Sequence, residues 1–253
     1  MRERTKRSTA AALVRDYLLP PTCPSCTELS APCEDGASPF CEVCRPIWEK
    51  EMLAACPRCK LLLTDCVCIP ERLRDVGVRD TVTLALYRPD SGTVADRTVF
   101  YLKENRDPRV FRYLASELSA RALRLLREIG VEAETAVVTY LPRRRAGVRE
   151  NGFDQAKELA RALAIESGLP FLPCLRRSGR GAEQKSLTRE EREENTRKAF
   201  RLSRDTDLSG RTVILVDDVV TTGSGLMECA RLLFDGGADA VIPVTVLRTE
   251  ERA

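Results

Sequence analysis

Two adjacent acids, Asp217 and Asp218, followed by Thr221, Thr222, Gly223 and Ser224, have the residue types and spacing that suit chemistry in this chain. Glycine lets backbone approach an anion, and Thr and Ser add hydroxyl donors. A helix beginning near Ser224 would turn free N–H groups and the positive end of its dipole toward a phosphate. The acids tolerate a ribose and repel bare phosphate. Side chains alternate faces along a strand, so one acid is expected to accept ribose hydroxyls and the other to orient the loop or a magnesium-bound water; the order stays open. The simpler alternative is an acidic turn ahead of a capped helix, but the arrival of acids, hydroxyls and glycine in register favours a ligand loop.

The elements around this stretch must position it. Thr212 to Val216 reads as a buried strand that ends at the acids. Leu226, Met227, Ala230, Leu232, Leu233 and Phe234 recur at helical spacing up to Gly236 and Gly237, a helix stop. Ala240 to Leu247 is a second apolar strand. The unit is a strand–helix–strand crossover with parallel strands, so the expected class is α/β, a parallel sheet covered by helices with ligands beyond the strands' carboxyl ends.

Upstream, Arg79–Tyr87 and Ala136–Leu141 read as strands, 108–130 and 156–166 as helices, and 99–103 as a segment preceding a helix. The strand at 136–141 runs into Pro142, Arg143, Arg144 and Arg145. With Arg149 these make four arginines within seven residues, suited to pairing with phosphate oxygens; the alternative is an exposed basic turn. Lys103 is read as a solvent-facing lysine, and Trp48, Tyr101 and Tyr113 as packing residues. The stretch 176–200 reads as a charged excursion with a short helix at 188–198.

The 253 residues contain no histidine, which excludes a histidine general base and a Cys–His dyad. Forty-one basic against 38 acidic residues leave a charge of +3, which by itself argues neither for nor against nucleic acid. The basic start is followed by only a short apolar stretch, so neither a signal peptide nor a membrane span is expected and the cytoplasm is the expected location.

Nine of the 11 cysteines fall between Cys23 and Cys68. Cys23/Cys26 and Cys41/Cys44, then Cys56/Cys59 and Cys66/Cys68, form close pairs, with Cys33 left over. Two such pairs close a four-sulfur zinc site, so two structural zinc ions are expected in a small zinc-ribbon domain over 1–70, ahead of a larger domain over 71–253. Pairs used in sequence are the working assumption; an interleaved arrangement and a disulfide framework are the alternatives, the latter disfavoured in a reducing compartment. Knuckle and loop geometry is expected here rather than a packed core, and hence a docking or scaffolding module. Cys174 and Cys229 are read as small apolar residues.

The run from Val213 to Gly225 resembles the phosphoribosyl-pyrophosphate (PRPP) motif of type I phosphoribosyltransferases: apolar run, two acids, two apolar residues, Thr-Thr-Gly, small residue. Together with LLPPTCPSC, VVTYLPRRRAGVRENGFDQAKELARAL and LRRSGRGAEQKSLTREEREENTRKAF, the chain resembles the ComF family of competence-associated proteins from about Leu18 to Thr249. Two positions depart from the family pattern, Asn151 and Asp154, and no contact is carried onto them. The resemblance implies a role in natural transformation or the use of incoming DNA, with a ComFA-like helicase as partner and single-stranded DNA as ligand. One hypothesis is a magnesium-dependent transferase. In it PRPP lies with its 5-phosphate on Thr221 to Ser224, its ribose on Asp217 and Asp218, and its pyrophosphate near Arg143, Arg144 and Arg145. The alternative is a non-catalytic module binding single-stranded DNA or a partner, with the PRPP pocket as sensor or relic.

Overall fold

A computed structural model describes residues 20–29, 38–66, 68–89, 91–178 and 199–249. The basic start, Cys33 and the expected helix at 188–198 lie outside the described residues. Four parallel strands form the sheet, β1 (Val82–Tyr87), β2 (Ala136–Tyr140), β5 (Thr212–Val220) and β6 (Ala240–Thr249), in the order β1-β6-β5-β2. Strands β3 (Leu175–Arg177) and β4 (Phe200–Leu202) make a separate antiparallel pair. The helices are α1 (Cys44–Met52), α2 (Glu71–Asp75), α3 (Val94–Glu104), α4 (Pro108–Glu128), α5 (Arg145–Asn151), α6 (Gln155–Ser167) and α7 (Ser224–Asp235).

Alternation along β5 divides the interior into two layers. Ile214 and Val216 face a core built with β1, α3, α4 and α6, whereas Val213 and Leu215 face one built with α7, Leu73 of α2 and the β3–β4 pair. A sheet covered on both faces demands continuous apolar strands, and the central strands have them. Helix starts follow local chemistry: Asp107 caps α4 ahead of Pro108, Asp154 caps α6 by accepting from the Lys157 N–H, and Gly168 closes α6 in the left-handed region. Among the described residues no helix is long and apolar enough to cross a membrane.

Residues 99–103 precede helix α4 as read, and themselves lie inside a further helix, α3, which starts at the Thr93 cap, whose hydroxyl accepts from the Asp96 N–H at 3.2 Å. Two expectations need correction. The strand read as Thr212 to Val216 does not end at Asp217 and Asp218, because β5 continues through both acids to Val220 in register with β6. The cysteine-rich segment is not free of packed core: Cys23, Phe40, Cys44, Trp48 and Met52 belong to the same apolar cluster as β1, α3 and α4. Phe40 stacks on Trp48 with ring centroids 5.2 Å apart and meets Tyr113 edge-on at 5.7 Å. The Glu51 carboxylate accepts from the Val94 and Ala95 N–H groups at 3.1 and 2.7 Å, so α1 caps the start of α3.

Candidate functional site

Strand β2 ends at Tyr140, and the Leu141 N–H still donates to the Val216 carbonyl at 2.9 Å. Beyond Val216, β5 runs on without β2 beside it, and its backbone turns to its own side chains. The Asp218 N–H donates to Asp217 Oδ1 and the Val219 N–H to Asp218 Oδ1, both at 2.9 Å. On the other side Thr249, the last residue of β6, donates its hydroxyl to the Thr221 carbonyl at 3.0 Å. The loop then turns through Gly223, whose φ of 69° lies in the left-handed region that glycine adopts without strain.

Helix α7 starts at Ser224 without a side-chain cap. Thr222 Oγ1 and Ser224 Oγ lie 3.2 Å apart, and Arg72 Nη1 donates to Ser224 Oγ at 3.3 Å. Hydroxyls, a helix start and a guanidinium therefore line one end of the loop, and carboxylates the other. That arrangement can hold an anion beside a polyol.

Electrostatics join further residues to the acids. Burial, then the neighbouring charge of Asp218, pushes the Asp217 carboxyl well above the usual carboxylate range. Burial also raises Asp154, against the pull of the Arg143 and Lys157 N–H groups, and Asp218 adds to the rise. Arg177 is lowered by burial and by the charge of Arg144, and Asp217 offsets part of that. Carboxylates and guanidiniums at the ends of β2, β3 and β5 thus feel one another's charge.

The three expected arginines are placed differently. Arg143 donates its N–H to Asp154 Oδ2 at 2.9 Å, and its buried Nη1 has no hydrogen-bond partner among the described residues. Arg144 is the residue that enters α5. Arg145, in the first turn of α5, is exposed, and among the described residues no hydrogen bond or ion pair ties it to the loop. Sequence reasoning passed over Asp154, Arg72, Arg177 and Thr249. Only Asp154 carried a local signal, as a cap residue before a helix. Lys103 lies in the last turn of α3, where its Nζ sits 5.0 Å from the Phe100 ring centroid and its carbonyl accepts from Gln155 Nε2 at 3.1 Å.

The cysteines gather as the sequential pairing requires. Cys23, Cys26, Cys41 and Cys44 form one group and Cys56, Cys59, Cys66 and Cys68 the other, with the sulfurs of each group within 4.8 Å of one another. Tetrahedral zinc at a Zn–S distance of about 2.3 Å implies S–S separations of roughly 3.8 Å. Cys26 and Cys41 lie 3.7 Å apart and Cys59 and Cys66 3.6 Å, so both groups could hold zinc. Burial opposes the Cys41 and Cys56 thiolates, yet nearby backbone N–H groups bring them down to about 7 and about 6. Cys44 and Cys68 are pushed up to about 12, mainly by burial.

The two groups share a repeat. Cys23–Thr27 and Cys56–Lys60 each close with an N–H to carbonyl bond, at 3.0 and 2.9 Å, and Thr27 and Lys60 both take positive φ. Bridges Thr22–Leu29 and Ala55–Leu62 complete matching knuckles. Arg248 of β6 supports the second group: its Nη2 donates to Cys56 Sγ and Cys66 Sγ at 3.1 Å each, and its Nη1 to the Cys68 carbonyl at 2.8 Å.

Residues 146–253 match the family model described as the phosphoribosyl transferase domain. The chain is 31% identical over 174 residues to the DNA utilization protein YhgH of Escherichia coli K12, covering 66% of this chain and 71% of that protein. It is 33% identical over 142 residues to YhgH of Salmonella typhimurium LT2, covering 53% and 62%. A purine phosphoribosyltransferase from Pyrococcus horikoshii aligns over 55% of this chain and 85% of its own, at 18% identity and a TM-score of 0.32. With a phosphoribosyl transferase domain, two four-cysteine groups and identity of this extent to YhgH, the chain belongs to the ComF family.

Proposed function

We propose that this chain binds PRPP with magnesium at the end of β5 and acts in the use of DNA. The observation that carries the reading is the loop itself: a left-handed glycine and an uncapped helix start directly behind two carboxylates at the carboxyl end of a central parallel strand. The 5-phosphate lies on Thr221, Thr222, Gly223 and Ser224, and the ribose hydroxyls on Asp217 and Asp218. Pyrophosphate lies toward Arg143 and Arg144, with Arg145 at the outer rim. The Nη1 of Arg143, without a partner among the described residues, supports this, since a buried donor without an acceptor is rare and an anion supplies one.

Oxygen donors from paired carboxylates suit magnesium, which when bound neutralises pyrophosphate charge. The chain's own residues position the ribose between acids and loop, and the arginines stabilise charge on a departing pyrophosphate. No histidine is required for those tasks. The thiolate groups take two structural zinc ions, which contribute folding energy and bind no substrate. The division into a zinc-ribbon unit over 1–70 and a phosphoribosyltransferase unit over 71–253 and a cytoplasmic location belong to the same proposal.

The part concerned with DNA rests on the relatives, which are named as DNA utilization proteins. Single-stranded DNA and a ComFA-like helicase are the partners that follow from it. Exposed Leu29, Val43, Ile47, Leu53, Leu61 and Leu62 on the cysteine-rich segment favour a second reading, in which that segment docks a protein partner and the pocket senses PRPP without turnover. Thermal unfolding with PRPP and magnesium tests the ligand assignment. At a ligand concentration of about 100 Kd the wild type gains about 2.7 kcal/mol, and Asp217→Asn/Asp218→Asn gains nothing. Equal protection of both proteins would sink the assignment.

A further inference from the structure

We infer that Arg72 is a further phosphate-binding residue of the β5 loop, delivered to it by the second four-cysteine group; this rests on the reading of the loop as a phosphate cradle. Arg72 lies in α2, which begins just after Cys68. Its Nη1 donates to Ser224 Oγ at 3.3 Å, and Ser224 Oγ is 3.2 Å from Thr222 Oγ1. The guanidinium therefore sits against one of the two paired hydroxyls that would face a phosphate, that of Ser224. The opposite end of the site carries Asp217, Asp218 and Asp154, whose charges reinforce one another. A phosphate dianion there needs a compensating charge on its own side. A helix start offers only about half a unit charge, whereas an arginine offers a full one in a planar fork matched to phosphate oxygens.

Two contacts set the reach of Arg72. Leu73, 1% exposed, packs beneath the loop, with its Cγ 4.0 Å from where a Cβ on Gly223 would lie. The chain entering α2 is fixed at Cys68, whose carbonyl accepts from Arg248 Nη1 at 2.8 Å, while Arg248 Nη2 holds the Cys56 and Cys66 sulfurs. The next residue, Thr249, holds the Thr221 carbonyl at 3.0 Å. One end of β6 thus grips both the second four-cysteine group and the loop, and Arg72 bridges the short gap between them.

The test is calorimetric titration of wild type, Arg72→Met and Arg72→Lys, all zinc-loaded, with PRPP, ribose 5-phosphate and pyrophosphate in magnesium buffer. Arg72→Met should weaken PRPP and ribose 5-phosphate roughly 10- to 100-fold, the range for a hydrogen bond to a charged group, and leave pyrophosphate unchanged. Arg72→Lys, which keeps the charge and loses the fork, should fall between them. Unfolding temperature and zinc content verify that each variant is folded. If wild type binds and Arg72→Met binds equally well, or loses all three ligands alike, Arg72 has no such role and the loop reading survives. If wild type binds none of the three, the loop reading itself fails and this inference falls with it.

Discussion

Replacing Arg248 with Met should loosen the second four-cysteine group and spare the first. The guanidinium donates to two sulfurs and one carbonyl of that group, at 3.1, 3.1 and 2.8 Å. Burial works against its charge, but the bond to Cys66 and the charges of Cys66, Cys56 and Cys68 outweigh burial and hold its pKa above the usual arginine value. Met fills much of the same space, so the variant removes chiefly charge and donors. Losing a residue that orients metal ligands costs about 10- to 100-fold in metal affinity, or about 1.4 to 2.8 kcal/mol. Among the described residues the guanidinium hydrogen bonds of Arg248 all go to the second group, so the first serves as internal control. Competition with a chromophoric zinc chelator resolves the two sites: one equivalent of zinc should weaken by that factor and the other stay unchanged. Equal weakening of both, or of neither, would refute the role given to Arg248.

Other outcomes follow from the same contacts. Asp217→Asn should flatten the pH dependence of stability. With its folded pKa raised, Asp217 favours the folded state below the ordinary carboxylate range, and that contribution is lost as pH rises through the folded value. Urea midpoints measured across pH for wild type and variant read this directly, and identical slopes contradict it. Trp48→Ala removes a side chain 0% exposed and stacked on Phe40, so about 3 to 5 kcal/mol should be lost. Because Trp48 shares a core with α3 and α4, that loss should appear in the unfolding of β1 and its helices, monitored by hydrogen exchange, and not in the cysteine-rich segment alone.

The crossover β5–α7–β6 was legible because long apolar runs punctuated by Gly236 and Gly237 leave little choice of element. The paired cysteines were legible for a similar reason, since the C-x-x-C spacing of three pairs and the C-x-C of Cys66/Cys68 constrain geometry locally. Helix α3 was passed over although Thr93-Val94-Ala95-Asp96 places a cap at its start; Val94, Thr98 and Val99 are β-branched and dilute the helical pattern. The short α5 between the arginines and Gly152 has too few turns to show a period. Arg72 and Arg248 were invisible for a different reason. Their partners Ser224 and Cys56 lie 152 and 192 residues away, and no local pattern encodes such a meeting. The shared core around Phe40 and Trp48 was likewise hidden, because a segment rich in cysteine and proline resembles a loop until its aromatics find Tyr113.

The most direct test of the central claim is calorimetric titration of PRPP into zinc-loaded protein, with and without magnesium, alongside Asp217→Asn/Asp218→Asn. One site per chain, tighter with magnesium and absent from the folded double variant, is the predicted result. Heats indistinguishable from dilution in the wild type, or equal affinity in the double variant, would contradict the claim that the end of β5 is a PRPP site.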